Sequence, residues 1–227
     1  MSVVAVINSK GGCGKSTVAT TLASWYASRH SGAMIGDLDK QKSVRSWLKV
    51  RPMECTPIRP WVIDLGKVFP APPSTAHAVL DTPSGLDHYT LAKLLMYADA
   101  VVVPVGPSLF DLESTKVLLA LLERHHKVIA GRCPVALVGM RWPPGDSGRR
   151  RLSALQAPFP VLSVITEDPV YPELIEAGMG LFDTQRPERD RRVNEWLPLL
   201  QWLDMVWQSP PAQVARRAAA ASASVAM

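Results

Sequence analysis

Few folds are open to a chain that carries Lys10-Gly-Gly-Cys-Gly-Lys15-Ser16-Thr17 between a β-branched run, Val3 to Ile7, and a segment whose apolar Val18, Leu22 and Trp25 recur at helical spacing. A strand that turns through glycines straight into a helix leaves the first helical N–H groups unpaired. Gly11, Gly12 and Gly14 let the backbone curl its N–H groups around an anion, at the end of the helix where the dipole is positive. The residues that follow select phosphate among anions. Lys15 can neutralise β- and γ-phosphates, the Ser16 hydroxyl is placed to ligate Mg²⁺, and Thr17 can touch the α-phosphate. A bare glycine turn between strand and helix needs neither the Lys15-Ser16 pair nor the second lysine, Lys10.

The rest of the chain alternates short β-branched runs with helical stripes, the pattern of a mostly parallel, twisted α/β sheet with helices on both faces, a P-loop NTPase architecture. About seven runs qualify as strands: Val3 to Ile7, Ala33 to Gly36, Val62 to Leu65, Ala78 to Leu80, Ala100 to Val105, Val135 to Val138 and Val161 to Ile165. Leu91, Leu94, Leu95 and Ala98 form one helical stripe. Trp196, Leu199, Leu200, Leu203, Val206 and Trp207 form another, over Asn194 to Trp207, which places Pro198 in its first turn. The proline-rich stretch Pro52 to Thr75 reads as irregular chain at a sheet edge, and Trp142 to Gly148 as an exposed loop entering a helix. Residues 1–207 are expected to make one domain and residues 208–227, rich in Ala, Ser and Arg, a tail without an apolar stripe.

Composition narrows the setting. With 227 residues, 47% of them hydrophobic, the chain can bury one substantial core. No apolar stretch reaches the roughly 20 residues of a membrane-spanning helix, and the first residues read as a buried strand rather than a leader. Cys13, Cys55 and Cys133 are odd in number and lack metal-ligand spacing, which fits reduced thiols in a cytoplasmic protein. Cys13 reads as a small filler inside the loop. A net charge of +5 permits contact with nucleic acid or an anionic surface without requiring it.

The ordinary P-loop pattern carries glycine where this chain has Ser9, and Lys10 follows. With Lys10 in place the loop resembles the deviant Walker A box of the ParA/MinD family, and more particularly its small ParA- and ParF-like members that lack an amino-terminal DNA-binding domain. The resemblance runs from about Val3 to Leu203. It implies an ATPase that dimerises around Mg-ATP, with Lys10 reaching across to the phosphates held by the other subunit. Asp37-Leu-Asp39-Lys40-Gln41 is similar to the family's switch I, in which Asp39 positions the attacking water and Asp37 supports the Mg²⁺ shell; the family usually has proline where Lys40 stands. Asp81-Thr-Pro-Ser-Gly85 is similar to its Walker B and switch II segment, with Asp81 reaching Mg²⁺ through water and Gly85 free to swing. Val103 to Ser108 fits an element near the dimer interface.

No Asn-Lys-x-Asp segment, the usual guanine reader, follows a late strand, so adenine is expected, with Arg141 a candidate to stack on the base. The resemblance further implies a dimer that binds nucleoid DNA non-specifically and a ParB-like or other cargo adaptor that stimulates hydrolysis. Basic candidates for DNA are Arg149, Arg150 and Arg151, then Arg186, Arg189, Arg191 and Arg192; each also reads as a solvated face. Glu167 and Asp168 stand where many relatives carry arginines. Three rivals fit less well. A MinD-like membrane switch needs a bulky amphipathic tail, a metabolic ligase or kinase has no use for Lys10, and an electron carrier needs cluster cysteines.

Overall fold

A computed structural model describes residues 2–29, 32–39, 41–63, 77–145, 147–155, 158–185 and 189–208. The strands are β1 (Ser2–Val6), β2 (Ala33–Asp37), β3 (Ile58–Trp61), β4 (His77–Asp81), β5 (Ala100–Val105), β6 (Val135–Trp142) and β7 (Val161–Thr166). The helices are α1 (Lys15–Arg29), α2 (Ser43–Lys49), α3 (His88–Tyr97), α4 (Leu109–Glu123), α5 (His126–Ile129), α6 (Ser147–Ser153), α7 (Val170–Glu176) and α8 (Arg189–Gln208), with a short 3-10 turn at Leu181–Asp183.

All the pairings are parallel, in the order β3-β2-β4-β1-β5-β6-β7. Strands covered on both faces must be apolar on both. Val4 and Val6 of β1 join a core with α1, α7 and α8, while Val3 and Ala5, with Ile7 just beyond, join a second core under α3, α4 and α6. The chain leaves β1 toward β2 on one side, returns through β4, and crosses to β5 on the other side. The carboxyl end of β1 therefore faces the crevice where ligands of such sheets bind.

Two expectations are corrected. The edge strand lies at Ile58–Trp61 rather than Val62 to Leu65, of which Val62 and Ile63 follow the strand and the remainder falls outside the described residues. Among the described residues β3 pairs with β2 alone, so Pro60 can lack an N–H without breaking an inner ladder. The last helix begins at Arg189, so Pro198 sits in its interior. Asn194 and Pro198 are both exposed, and water can take up the carbonyl that the proline leaves without a donor. The helix continues through Gln208; the rest of the expected tail lies outside the described residues. No described helix is long and apolar enough to cross a membrane.

Candidate functional site

The glycine loop joins β1 to α1 with Gly12 and Gly14 at φ 73° and 98°, a region that side chains seldom adopt. A Cβ on Gly14 would also stand 3.2 Å from Met140, so this position is closed twice over. Inside the curl, the Lys15 Nζ donates to the Lys10 carbonyl at 2.9 Å and the Cys13 thiol donates to the same oxygen at 3.2 Å. Cys13 is wholly buried, and burial pushes its thiol pKa up, so it is packing rather than a nucleophile. The Lys10 side chain, unlike that of Lys15, lies at the surface.

Asn8 was not foreseen from the sequence. Fully buried, it accepts the Lys10 N–H at 3.0 Å and donates to Pro104 O at 2.7 Å and Thr115 Oγ1 at 3.0 Å. It thereby fixes the loop to the end of β5 and to α4. Its only sequence signal was an amide placed directly before the loop. The Gly85 N–H donates to Ser9 O at 2.8 Å, which joins the Asp81–Gly85 segment to the same loop.

Asp37 and Asp81 end adjacent strands and stand in register with each other. The Ser16 hydroxyl donates to Asp81 Oδ2 at 2.7 Å, while Asp81 Oδ1 is buried without a hydrogen-bond partner among the described residues. Burial pushes the Asp81 carboxyl up to about 7; the Ser16 hydrogen bond opposes this and the charge of Asp37 adds to it. Asp37 accepts the Asp39 N–H at 3.0 Å and the Arg45 N–H at 2.9 Å, so its carboxylate shapes the turn and holds the start of α2. Asp39 accepts the Gln41 N–H at 2.9 Å.

Two cavities meet at Gly14, Thr17 and Arg141. One, of about 320 Å³, is lined by the glycine loop, Lys15, Ser16, Asp39, Gln41 and Ser84. The other, of about 500 Å³, has apolar walls from Met140, Ile165, Pro169, Tyr171 and Ile175 with Thr166, Glu167 and Asp168 at its polar side. Arg141 adopts φ 56° where the β6–β7 register shifts, a bulge that turns its guanidinium onto the Gly12 carbonyl. It therefore caps the loop at the junction of the cavities.

The arginines expected at DNA divide. Arg149 donates to the Val161 and Leu162 carbonyls at 2.9 and 3.4 Å, and Arg151 lies over the Trp142 ring at 5.2 Å. Arg192 is committed to a bidentate ion pair with Asp168. Arg150 and Arg191 are exposed. Arg186 and the side chain of Arg189 lie outside the described residues.

The chain is similar to known proteins over most of its length. The model of the CobQ/CobB/MinD/ParA nucleotide binding domain matches residues 4–182. The maintenance of carboxysome distribution protein A of Halothiobacillus neapolitanus is 25% identical over 209 residues, spanning 86% of this chain and 96% of that protein. Among solved structures, a plasmid partition protein from Borrelia burgdorferi B31 bound to AMPPNP superposes with a TM-score of 0.65 at 19% identity, covering 88% of this chain and 98% of that one. The septum site-determining protein MinD of Pyrococcus horikoshii, complexed with Mg-ADP, gives 0.60 at 13%, covering 84% and 92%. At such identities the structures speak for the fold.

Proposed function

The chain belongs to the CobQ/CobB/MinD/ParA nucleotide-binding family, and from that premise we propose that it is an ATP-driven positioning switch. In this reading it dimerises around Mg-ATP, holds nucleoid DNA without sequence preference, and releases when an adaptor protein stimulates hydrolysis. The observation that carries it is the convergence of Lys15, Ser16 and Asp39 on one cavity, with Asp81 bonded behind Ser16 and Lys10, at the start of the same loop, exposed. Residues 1–207 act as one domain.

The phosphates take the smaller cavity and the adenine the apolar one, where Met140, Ile165 and Tyr171 meet the faces of a base. The Lys15 ammonium exchanges the Lys10 carbonyl for β- and γ-phosphate oxygens. The donors fit Mg²⁺: a hydroxyl on Ser16, the unpartnered buried oxygen of Asp81, and Asp37 in register beside it. That ion, when bound, draws negative charge off the phosphate oxygens. Asp39 aims a water in line with the γ-phosphorus. The water oxygen bonds to phosphorus as the bridging P–O bond to ADP breaks, and positioning supplies most of the rate. Lys10 of each subunit reaches the triphosphate bound by the other.

For the DNA track, Arg149, Arg150 and Arg151 of α6 and Arg191 of α8 are the exposed candidates, Arg149 also donating to backbone carbonyls and Arg151 also lying over the Trp142 ring. The relatives are named for carboxysome distribution and plasmid partition, and we assign a large cargo of that kind, joined by a ParB-like or similar adaptor. DNA co-sedimentation with ADP and with ATP across a salt series tests this. Retention should require ATP and fall with salt, each phosphate contact contributing about −0.9 to the log–log slope. Equal, salt-insensitive retention in both nucleotide states would remove DNA from the cycle.

A further inference from the structure

One face of α8 holds the wall of the apolar cavity. The Glu195 carboxylate accepts the Thr166 N–H at 3.0 Å and the Thr166 hydroxyl at 2.7 Å. Arg192 donates from Nε and Nη2 to the two oxygens of Asp168 at 2.8 and 3.0 Å, and Asp168 also accepts the Val170 N–H at 2.9 Å. The Trp196 indole donates to the Tyr171 hydroxyl at 2.9 Å. Thr166, Asp168 and Tyr171 all line the cavity, and their three partners recur at the spacing that puts helical residues on one side. Neither Arg192 nor Glu195 lines the cavity itself.

This arrangement is built to stay in place. Arg192 and Asp168 are each 16% exposed, and a bidentate guanidinium–carboxylate pair fixes angle as well as distance. Burial raises the Asp168 carboxyl, but the Arg192 hydrogen bonds and charge outweigh it and the net shift is downward. The Glu195 carboxylate gives Thr166 both of its acceptors, so the end of β7 cannot rotate without breaking two bonds.

We propose that Arg192 and Glu195 are positioning residues for the nucleoside half of the ligand. They act through Asp168 and Thr166 to keep the base cavity open in its binding shape, and they leave the phosphate loop alone. The inference rests on the reading of that cavity as the base subsite. It removes Arg192 from the DNA-contacting set and ties the first turns of α8 to nucleotide affinity.

The test is calorimetric titration of the full chain with Mg-ATP and, separately, with magnesium tripolyphosphate, which carries the phosphates without a base. Arg192→Ala and Glu195→Ala should each weaken ATP binding about five- to twentyfold, the scale of one lost buried charge-assisted bond, and change tripolyphosphate binding less than about twofold by the same measure. Glu195→Gln should restore ATP affinity, because its amide oxygen still accepts the Thr166 N–H and its NH₂ can donate to the hydroxyl. Arg192→Lys, which keeps charge but not the fork, should fall between, and it serves if an alanine variant does not fold. Equal losses for both ligands, or no loss for either, would overturn the inference. Wild-type protein that binds tripolyphosphate but gains nothing from the nucleoside would instead remove the base-subsite reading beneath it.

Discussion

The Ser16 hydroxyl and the Asp81 carboxylate, 65 residues apart in sequence, are joined at 2.7 Å. This bond fastens the first turn of α1 to the end of β4, and it leaves the second oxygen of Asp81 buried and unpartnered beside Asp37. A carboxylate so placed is costly unless a cation answers it, and its rise to about 7 expresses that cost. In the proposed function, the magnesium of Mg-ATP would supply that cation.

Asp39→Ala should leave ATP binding near the wild-type level and lower turnover by about a hundredfold or more, since the aim of the attacking water is lost while the phosphate cradle is intact. The ATP-bound dimer should then persist, read as a lasting dimer peak by size exclusion with light scattering. Undiminished phosphate release would take Asp39 out of the mechanism.

Lys10→Ala separates the two lysines. The Lys10 backbone carbonyl serves Lys15 within its own loop, whereas its side chain is exposed. Monomer affinity for ATP should therefore change by less than about threefold, while the ATP-dependent dimer weakens by about tenfold or more, the scale of one lost charge-assisted phosphate contact. Normal dimerisation by the variant would end the role across the interface.

Legibility followed the range of the interactions. The place of the glycine loop between β1 and α1 could be read because a strand, a turn and a helix start are local signals, whereas Asp37, Asp39 and Asp81 were picked out by their resemblance to family motifs, and the fold sets Asp37 and Asp81 at adjacent strand ends. The inner strands could be read because both faces are apolar. β3 was misplaced because Arg59 and Pro60, both exposed, interrupt its apolar pattern. The start of α8 was missed because its first turn is polar and the apolar stripe begins only at Trp196. The base cavity had no local sign, since Met140 and Tyr171 come from separate elements. Arginines were the least legible of all: whether Arg192 faces DNA or Asp168 depends on a partner 24 residues away.

The Asp168–Arg192 pair also predicts a pH dependence. The folded protein holds the Asp168 carboxyl below its ordinary 3.8, so the pair's stabilisation is complete above that value and lost as pH falls through the lower, folded value. Arg192→Ala should cost about 1–2 kcal/mol at pH 7. Urea melts of both proteins should show this gap unchanged at pH 5 and clearly smaller near pH 3. A gap that is the same at pH 7 and pH 3 would show that the ion pair is not its source.

Titration of wild-type protein and Lys15→Ala with Mg-ATP, with and without EDTA, tests the proposed phosphate site most directly. Wild type should bind with micromolar-scale affinity that collapses when the magnesium is chelated, and Lys15→Ala should lose about a hundredfold or more, the combined scale of its phosphate contacts. Wild-type protein without magnesium-dependent affinity for ATP, or a Lys15→Ala variant that binds as the wild type does, would contradict it.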